Sequence, residues 1–180
     1  MLIIHPQDFT TKFLEVLYPP EENIILDERA SNGAIKRALM ENTRIMLLGH
    51  GCETGLLAPF GKQQFGRLII GPSHAQFLRG KTIIGIFCNA NQFAYRYNLT
   101  GLFSGMVISE MSEALEWSIK DCTYTDIYEG RRKWAEDLHE TLYGDLKLVP
   151  EKMIERPRVY RIDDFNYNSL YWIENGEDPE

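Results

Sequence analysis

The chain has 180 residues, a net charge of −7, 44% apolar residues and 12% aromatic residues. This length predicts one domain with room for an appended segment, and the near-average composition excludes a collagen-like, low-complexity or wholly disordered chain. The acidic balance argues against a nucleic-acid partner, because neutralising phosphates requires clustered Lys and Arg side chains. No basic segment followed by a long apolar stretch opens the sequence, and no run approaches ~18 apolar residues, so we expect a soluble protein with no membrane partner.

Three cysteines, Cys52, Cys88 and Cys122, are separated by 36 and 34 residues. An odd number at such spacings fits neither a disulfide framework nor a Cys-x-x-Cys metal site. Free thiols favour a reducing compartment, and we therefore expect the protein to be cytoplasmic.

Short apolar runs alternate with segments of helical period, the pattern of an α/β protein. It predicts a three-layer sandwich in which helices cover both faces of a mainly parallel central sheet. The predicted strands span residues 2–4, 23–27, 44–48, 81–87 and 105–109. The predicted helices span residues 31–42, 90–97, 112–119 and 125–143, and a further helix is expected to begin at Asp8, whose carboxylate can cap its first turn.

Two segments depart from this alternation. Between residues 52 and 79, repeated glycines and two short apolar stretches, 56–57 and 68–70, predict a β-hairpin inserted between the third and fourth strands. The last part of the chain mixes acidic and apolar residues, which divides the sequence into an α/β domain, 1–144, and an extension, 145–180. Its apolar residues favour packing along a sheet edge or against a second copy of the chain in a homodimer.

Reactive side chains follow two of the most apolar strands. His50 comes after the third strand and Cys88 after the fourth. Functional residues of open α/β sheets collect at the carboxyl ends of strands, and neighbouring strands lie about 4.8 Å apart, so we expect the imidazole and the thiol to approach each other. A cysteine attacks as its thiolate, and an imidazole can accept its proton. The sequence thus predicts a Cys/His dyad that uses no metal and no organic cofactor.

Simpler interpretations exist for the same residues. A Cys at a strand end is commonly a small buried apolar residue, and a lone His is commonly a satisfied polar group. His50, Cys52 and Cys88 could also bind zinc, although the spacings of structural zinc motifs are absent. The placement of His50 and Cys88 after consecutive central strands favours the dyad.

The order strand, helix, strand, helix, strand ending in His-Gly, hairpin, strand ending in Cys resembles the caspase-like cysteine peptidases. This group includes caspases, metacaspases, legumain, gingipains, clostripain, separase and the CHAT domains. The resemblance covers about residues 1–120 and rests on three segments: LLGHG at 47–51, IIGIFC at 83–88 and GLFSGMVISE at 101–110. It implies a caspase-like fold and a peptide or protein substrate.

By this resemblance, His50 is the general base and acid and Cys88 is the nucleophile of a covalent acyl-enzyme mechanism. The backbone amides of Gly51 and Cys88 are the expected oxyanion donors, the interaction that commonly dominates acyl transfer. The main alternative is a catalytically inactive caspase-fold module for binding or assembly. A non-proteolytic thiol hydrolase or transferase is a third candidate.

Substrate-binding residues are harder to predict. Metacaspases carry an aspartate two positions before the nucleophile to receive a basic side chain, and Ile86 occupies that position here. Glu110, expected just beyond the fifth strand, is a candidate for a negative pocket wall, although an exposed loop carboxylate is the simpler interpretation. Asn89, directly after the nucleophile, is the second candidate.

Overall fold

The computed structural model describes residues 1–21, 23–59 and 67–176. Nine strands are present in this part of the chain: β1 (Leu2–Ile4), β2 (Ile24–Leu26), β3 (Arg44–Leu48), β4 (Gly51–Cys52), β5 (Gly55–Leu57), β6 (Leu68–Ile70), β7 (Thr82–Ile86), β8 (Thr100–Ser104) and β9 (Leu170–Ile173). Its α-helices are α1 (Asn32–Glu41), α2 (Ala75–Leu78), α3 (Ala90–Tyr97), α4 (Met111–Glu116), α5 (Tyr124–Thr141), α6 (Val149–Ile154) and α7 (Asp163–Tyr167). Short 3₁₀ helices span Lys12–Leu17, Pro72–His74 and Leu146–Leu148.

The centre of the protein is a six-stranded sheet in the order β2-β1-β3-β7-β8-β9. All neighbouring strands are parallel except β9, which runs antiparallel to β8. In the central pair, Leu48 of β3 lies opposite Ile86 of β7, so both strands end at the same level. The residues that follow β3 and β7 in the chain therefore lie next to each other, at the carboxyl ends of the parallel strands.

Alternate residues of the central strands enter two separate cores, because successive side chains point to opposite faces of a sheet. On β3, Ile45 and Leu47 pack with α1 and α3, whereas Met46 and Leu48 pack with α5 and α6. A parallel sheet buried on both faces needs such near-continuous apolar strands. The observed α/β architecture agrees with the predicted mainly parallel sheet covered by helices on both faces.

The insertion between the third and fourth strands of the central sheet is a second, small sheet. It consists of β4, β5 and β6, which pair antiparallel in that order. The two predicted apolar stretches, 56–57 and 68–70, lie in β5 and β6. Residues 60–66, which belong to the same predicted excursion, lie outside the described residues.

The fifth strand of the central sheet is not where the sequence predicts it. The strand is Thr100–Ser104, whereas the predicted segment 105–109 runs beyond its carboxyl end. Asn98, with φ 54°, ends α3 in the left-handed region, so the chain turns and enters β8 two residues later. Segment 105–109 is held instead by the C-terminal part of the chain: the Gly105 amide donates to the Ser169 carbonyl over 2.9 Å, and the Ile108 amide to Asn166 Oδ1 over 2.8 Å.

The chain beyond residue 144 supplies α6, α7 and β9. Strand β9 forms one edge of the central sheet, and Leu170 and Ile173 are buried in the two cores. The division into a domain and an extension, and dimerisation through that extension, stay predictions; light scattering on the full chain tests the second. None of the helices in residues 1–21, 23–59 and 67–176 is both long and apolar enough to span a membrane.

Gly101 is required where β8 passes closest to β7. Its φ is 150°, and a Cβ there would lie 1.9 Å from the Ile83 carbonyl oxygen. We expect Gly101→Ala to destabilise the fold by roughly 3 kcal/mol or more, since backbone must move and a strained dihedral must be kept. Thermal unfolding should show a Tm lower by about 8 °C or more. Gly33→Ala is the matched control, because nothing lies within 4 Å of a Cβ at Gly33 and alanine is favoured in α1; equal Tm values for the two variants would contradict this assignment.

Candidate active site

Polar residues follow four strands of the central sheet, at the carboxyl ends of these strands. Asp8 lies in the loop after β1, His50 follows β3, Cys88 follows β7, and Ser109 lies in the segment after β8. Since β1, β3, β7 and β8 are parallel neighbours, their carboxyl ends lie next to one another. This is the position at which open α/β sheets place their ligands.

His50 and Cys88 line the same cleft. The cleft has a cavity volume of about 20 Å³ and is walled mainly by apolar side chains. We call it the dyad cleft; its lining residues are Thr11, Phe13, Leu14, Gly49, His50, Ile86, Phe87, Cys88, Val107 and Ser109. The structure thus places His50 and Cys88, which are far apart in the sequence, in the lining of one cleft, whereas their catalytic roles stay a proposal.

His50 is held by the loop after β1. Its Nε2 lies 3.0 Å from Asp8 Oδ2 and 2.8 Å from Thr10 Oγ1. The Thr10 hydroxyl has one proton and donates it to Asp8 Oδ1 over 2.7 Å, so it accepts from the imidazole. Neutral His50 therefore carries its proton on Nε2, which leaves the lone pair on Nδ1. That tautomer is the one in which Nδ1 can take a proton from a thiol.

Asp8 is the site residue that sequence analysis missed. Its Oδ1 accepts from the backbone amides of Thr10 and Thr11, at 2.9 and 3.1 Å, as well as from the Thr10 hydroxyl. Burial alone would raise the pKa of the Asp8 carboxyl, but these hydrogen bonds and the nearby His50 lower it below its usual value. Asp8 is therefore an ionised partner for His50.

The predicted helix beginning at Asp8 is incorrect. A 3₁₀ helix, Lys12–Leu17, begins later, and the Asp8 carboxylate closes a turn onto Thr10 and Thr11 while its second oxygen reaches His50. The sequence carried part of the signal for this role, because Asp8 follows a predicted strand, 2–4. The sheet order then shows that this strand is the neighbour of β3. The rule that selected His50 and Cys88 applies to that strand as well.

The Cys88 thiol is protonated at neutral pH. Burial raises its pKa to about 12, and the negative charge of Glu113 adds to this effect. Hydrogen bonds from the backbone amides of Val107 and Cys88 act in the opposite direction but do not cancel it. Attack by this sulfur therefore requires a base that removes its proton, rather than a thiolate that exists beforehand.

The two predicted oxyanion donors lie in different settings. The Cys88 amide approaches its own sulfur, together with the amide of Val107, which the sequence did not indicate. Gly51 opens β4 and lies under the Phe87 ring, so closely that a Cβ would be 2.1 Å from the ring. The bulky residue before Cys88 thus fills core space that a glycine leaves open. Oxyanion binding by Gly51 and Cys88 stays a prediction.

Neither of the predicted substrate-binding residues lines the dyad cleft. Asn89 is exposed and adopts φ 61°, a left-handed conformation that asparagine tolerates, where the chain turns from Cys88 into α3. It lines a neighbouring groove of about 410 Å³. Glu110 caps α4, beyond the segment that follows β8. Substrate contacts by Asn89 and Glu110 stay predictions.

Arg131 of α5 donates hydrogen bonds to both loops beside the dyad cleft. Its guanidinium donates to the Ser109 carbonyl over 2.8 Å and to the Thr10 carbonyl over 3.4 Å. It also lies over the Phe13 ring, 5.2 Å from the ring centroid. The loop that holds His50 and the segment that donates to Cys88 are thus joined through one cation.

No metal centre is formed by the described residues. Within residues 1–21, 23–59 and 67–176, no group of three or more His, Cys, Asp or Glu side chains could hold a metal ion. Among these residues Cys52, Cys88 and Cys122 are all free thiols. Zinc binding by His50, Cys52 and Cys88 is therefore not supported by their arrangement.

The raised pKa of Cys88 predicts how it reacts with a small alkylating reagent. Only the thiolate reacts with iodoacetamide, and in urea the thiol regains a pKa of about 8.5. At pH 8 we therefore expect Cys88 to be modified at least roughly 100-fold more slowly in the folded protein than in urea. The folded-state rate should rise about tenfold per pH unit from pH 7 to 10, because this range lies below the folded pKa. Peptide mapping by mass spectrometry measures the rate. A rate that is fast and constant from pH 6 to 8 would instead show a preformed thiolate.

Comparisons with protein-family models, with curated proteins and with solved structures found no match to this chain.

Proposed function

We propose that the protein is a cysteine hydrolase, most specifically a caspase-like peptidase, in which Cys88 is the nucleophile, His50 the general base and acid, and Asp8 the residue that orients His50. The order of the elements supports this proposal. In the chain, Gly49 and His50 follow β3, an antiparallel insertion begins at Gly51, and β7 ends before Cys88; in the sheet, β3 and β7 are neighbours.

The observation that carries the proposal is the dyad cleft itself. An imidazole whose proton is held on Nε2 by Asp8 and Thr10 lines the same small cavity as the Cys88 thiol. A nucleophile, a base and a third group that orients the base form the arrangement used in nucleophilic catalysis on unrelated folds.

In the acylation step, Cys88 Sγ forms a bond to the substrate carbonyl carbon while the thiol proton passes to His50 Nδ1. We expect the backbone amides of Gly51 and Cys88 to meet the oxyanion, and the Val107 amide, which also approaches the sulfur, is a third candidate donor. As the carbonyl re-forms, the bond to the leaving amine breaks and His50 returns the proton to that amine. A thioester to Cys88 and a free amine result.

In the deacylation step, water attacks the thioester carbon and gives its proton to His50. The carbon–sulfur bond then breaks, a carboxylic acid leaves, and His50 returns the proton to the Cys88 sulfur. Asp8 stabilises the imidazolium in both steps, since its lowered pKa keeps it ionised.

A second candidate function has its own support. The raised pKa of Cys88 and the small volume of the dyad cleft both favour a caspase-fold module that binds or assembles without hydrolysis. This module and the hydrolase differ in whether the reactivity of Cys88 depends on His50.

The test uses the full chain and peptidyl acyloxymethyl ketones, which react with a cysteine that is activated toward a peptide carbonyl. For the hydrolase we expect modification of Cys88, at least roughly 100-fold slower in His50→Ala, with Cys52 and Cys122 as internal controls. Incubation with a peptide library, followed by mass spectrometry, should reveal new carboxyl termini that are lost in Cys88→Ala.

Equal, slow modification of Cys88 in the wild type and in His50→Ala would contradict the hydrolase and favour the binding module. His50-dependent modification without cleavage of any library peptide would indicate a thiol hydrolase or transferase with a different acyl substrate.

A further inference from the structure

The dyad cleft determines which groups can approach the Cys88 sulfur. Its cavity volume is about 20 Å³, little more than the roughly 10–15 Å³ that one water molecule needs. Two larger grooves lie beside it, of about 360 Å³ next to Phe13 and about 410 Å³ next to Asn89. Among the described residues that line these grooves, neither His50 nor Cys88 appears. The cavity that His50 and Cys88 line together is therefore small.

The walls of the dyad cleft belong to the cores of the protein. Ile86 is 1% exposed and packs in the core that α5 covers, and Phe87 is 2% exposed and packs in the core on the opposite face of the sheet. Val107, 7% exposed, joins the same core as Ile86. Because protein cores are close-packed, these side chains yield little room to an incoming group.

The dyad cleft is also unsuited to a charged side chain. Among the described residues that line it, His50 and Cys88 are the ionisable ones, and both are engaged in the proposed reaction. A carboxylate or a guanidinium placed there would lose hydration, which is strongly unfavourable unless the charge is paired. The carboxylates that act on His50 and Cys88, those of Asp8 and Glu113, already accept hydrogen bonds from His50 Nε2 and from the Ser109 amide.

The side chain of an acyl residue begins on the carbon next to the carbonyl that the sulfur attacks, so it must lie in or at the mouth of the dyad cleft. We propose that the protein acts on acyl groups ending in glycine or alanine, with the remainder of the substrate lying in the larger grooves beside Phe13 and Asn89. This inference rests on the proposed hydrolase function and names its substrate class.

The test measures the rate at which peptidyl acyloxymethyl ketones modify Cys88. The probes are identical except for the residue next to the ketone, which is glycine, alanine, leucine, arginine or aspartate. We expect the glycine and alanine probes to react at least roughly 10-fold faster than the other three, since a poorly fitting group in a small pocket costs about this factor or more.

Phe13 provides a variant that changes the preference. This half-buried side chain lines both the dyad cleft and the groove of about 360 Å³, so Phe13→Ala should join the two spaces. The leucine probe is then expected to gain at least roughly 10-fold relative to the glycine probe. Tyr124→Ala is the matched control, because Tyr124 is 80% exposed and is not among the described residues that line the dyad cleft or either groove; its probe ratio should equal that of the wild type.

The outcomes separate the two proposals. If the leucine, arginine or aspartate probe modifies Cys88 as fast as the glycine probe and does so only with His50 present, the glycine/alanine preference is wrong and the hydrolase stands. If no probe modifies Cys88 in a His50-dependent manner, the hydrolase and the substrate class both fail. An unchanged probe ratio in Phe13→Ala would show that Phe13 does not limit the cleft.

Discussion

Replacement of His50 with alanine is expected to lower the rate of Cys88 acylation by roughly 10³-fold or more. The Cys88 thiol has a pKa of about 12, so it cannot attack at neutral pH until a base removes its proton, and His50 lines the same cleft. Without the imidazole, neither the thiol proton nor the leaving amine has a partner. Single-turnover rates of acyl-enzyme formation, followed by mass spectrometry of the Cys88 peptide, measure the effect.

The control for this variant is His74→Ala. His74 is buried to a similar degree, 6% exposed against 8% for His50, and its ring bonds Asn32 Oδ1 over 2.8 Å, away from the dyad cleft. The His74→Ala variant should have a lower free energy of unfolding than the wild type, whereas the acylation rate of the folded protein should be unchanged. Equal acylation rates in the two histidine variants would remove His50 from the mechanism.

Replacement of Asp8 with asparagine is expected to lower kcat/KM by roughly 10²–10⁴-fold, with little change in the fold. The carboxylate fixes the proton of His50 on Nε2. An asparagine side chain can present its NH₂ group to Nε2 instead, which would place the proton on Nδ1, where it blocks transfer from the thiol. It also removes the negative charge that stabilises the imidazolium.

Two readouts distinguish this role from a merely structural one. The ¹⁵N chemical shifts of the His50 ring should report a change of tautomer, and circular dichroism should remain that of the wild type. Asp27→Asn is the matched control, since Asp27 follows β2, is paired with Arg29 at the surface and lies outside the dyad cleft. Wild-type activity in Asp8→Asn would assign the orientation of His50 to Thr10 alone.

Much of the fold follows from local patterns. Strand β3 and helix α3 have the predicted limits to the residue, because an uninterrupted apolar run and a helical period are each set by neighbouring positions in the chain. Strand β8 was misplaced by five residues, since 100–104 and 105–109 are both short and apolar. Segment 100–104 forms the strand because it can pair with β7, and a glycine at position 101 is needed for the two strands to approach. This contact joins residues that are distant in the chain, so no local pattern predicts it.

The candidate site divides in the same way. His50 and Cys88 were found because parallel strands end at a common edge, which is a rule about topology that the strand pattern carries. The role of Asp8 was missed because an aspartate that accepts from free backbone amides is expected both in a helix cap and in a turn. Asp8 forms the turn, onto the amides of Thr10 and Thr11. Only the pairing of β1 with β3 places its second oxygen against the imidazole.

The amino-acid sequence by itself determined the alternation of strands and helices, the insertion after β3 and the two reactive side chains, since these depend on hydrophobic periodicity and on residue type. The tertiary structure alone decided the tautomer of His50, the raised pKa of the Cys88 thiol and the narrowness of the cleft between them. Those properties arise from burial and from contacts among residues distant in the chain, such as Asp8 with His50 and Phe87 with Gly51. Desolvation and packing depend on the neighbours that a residue acquires in space, which the order of residues does not state.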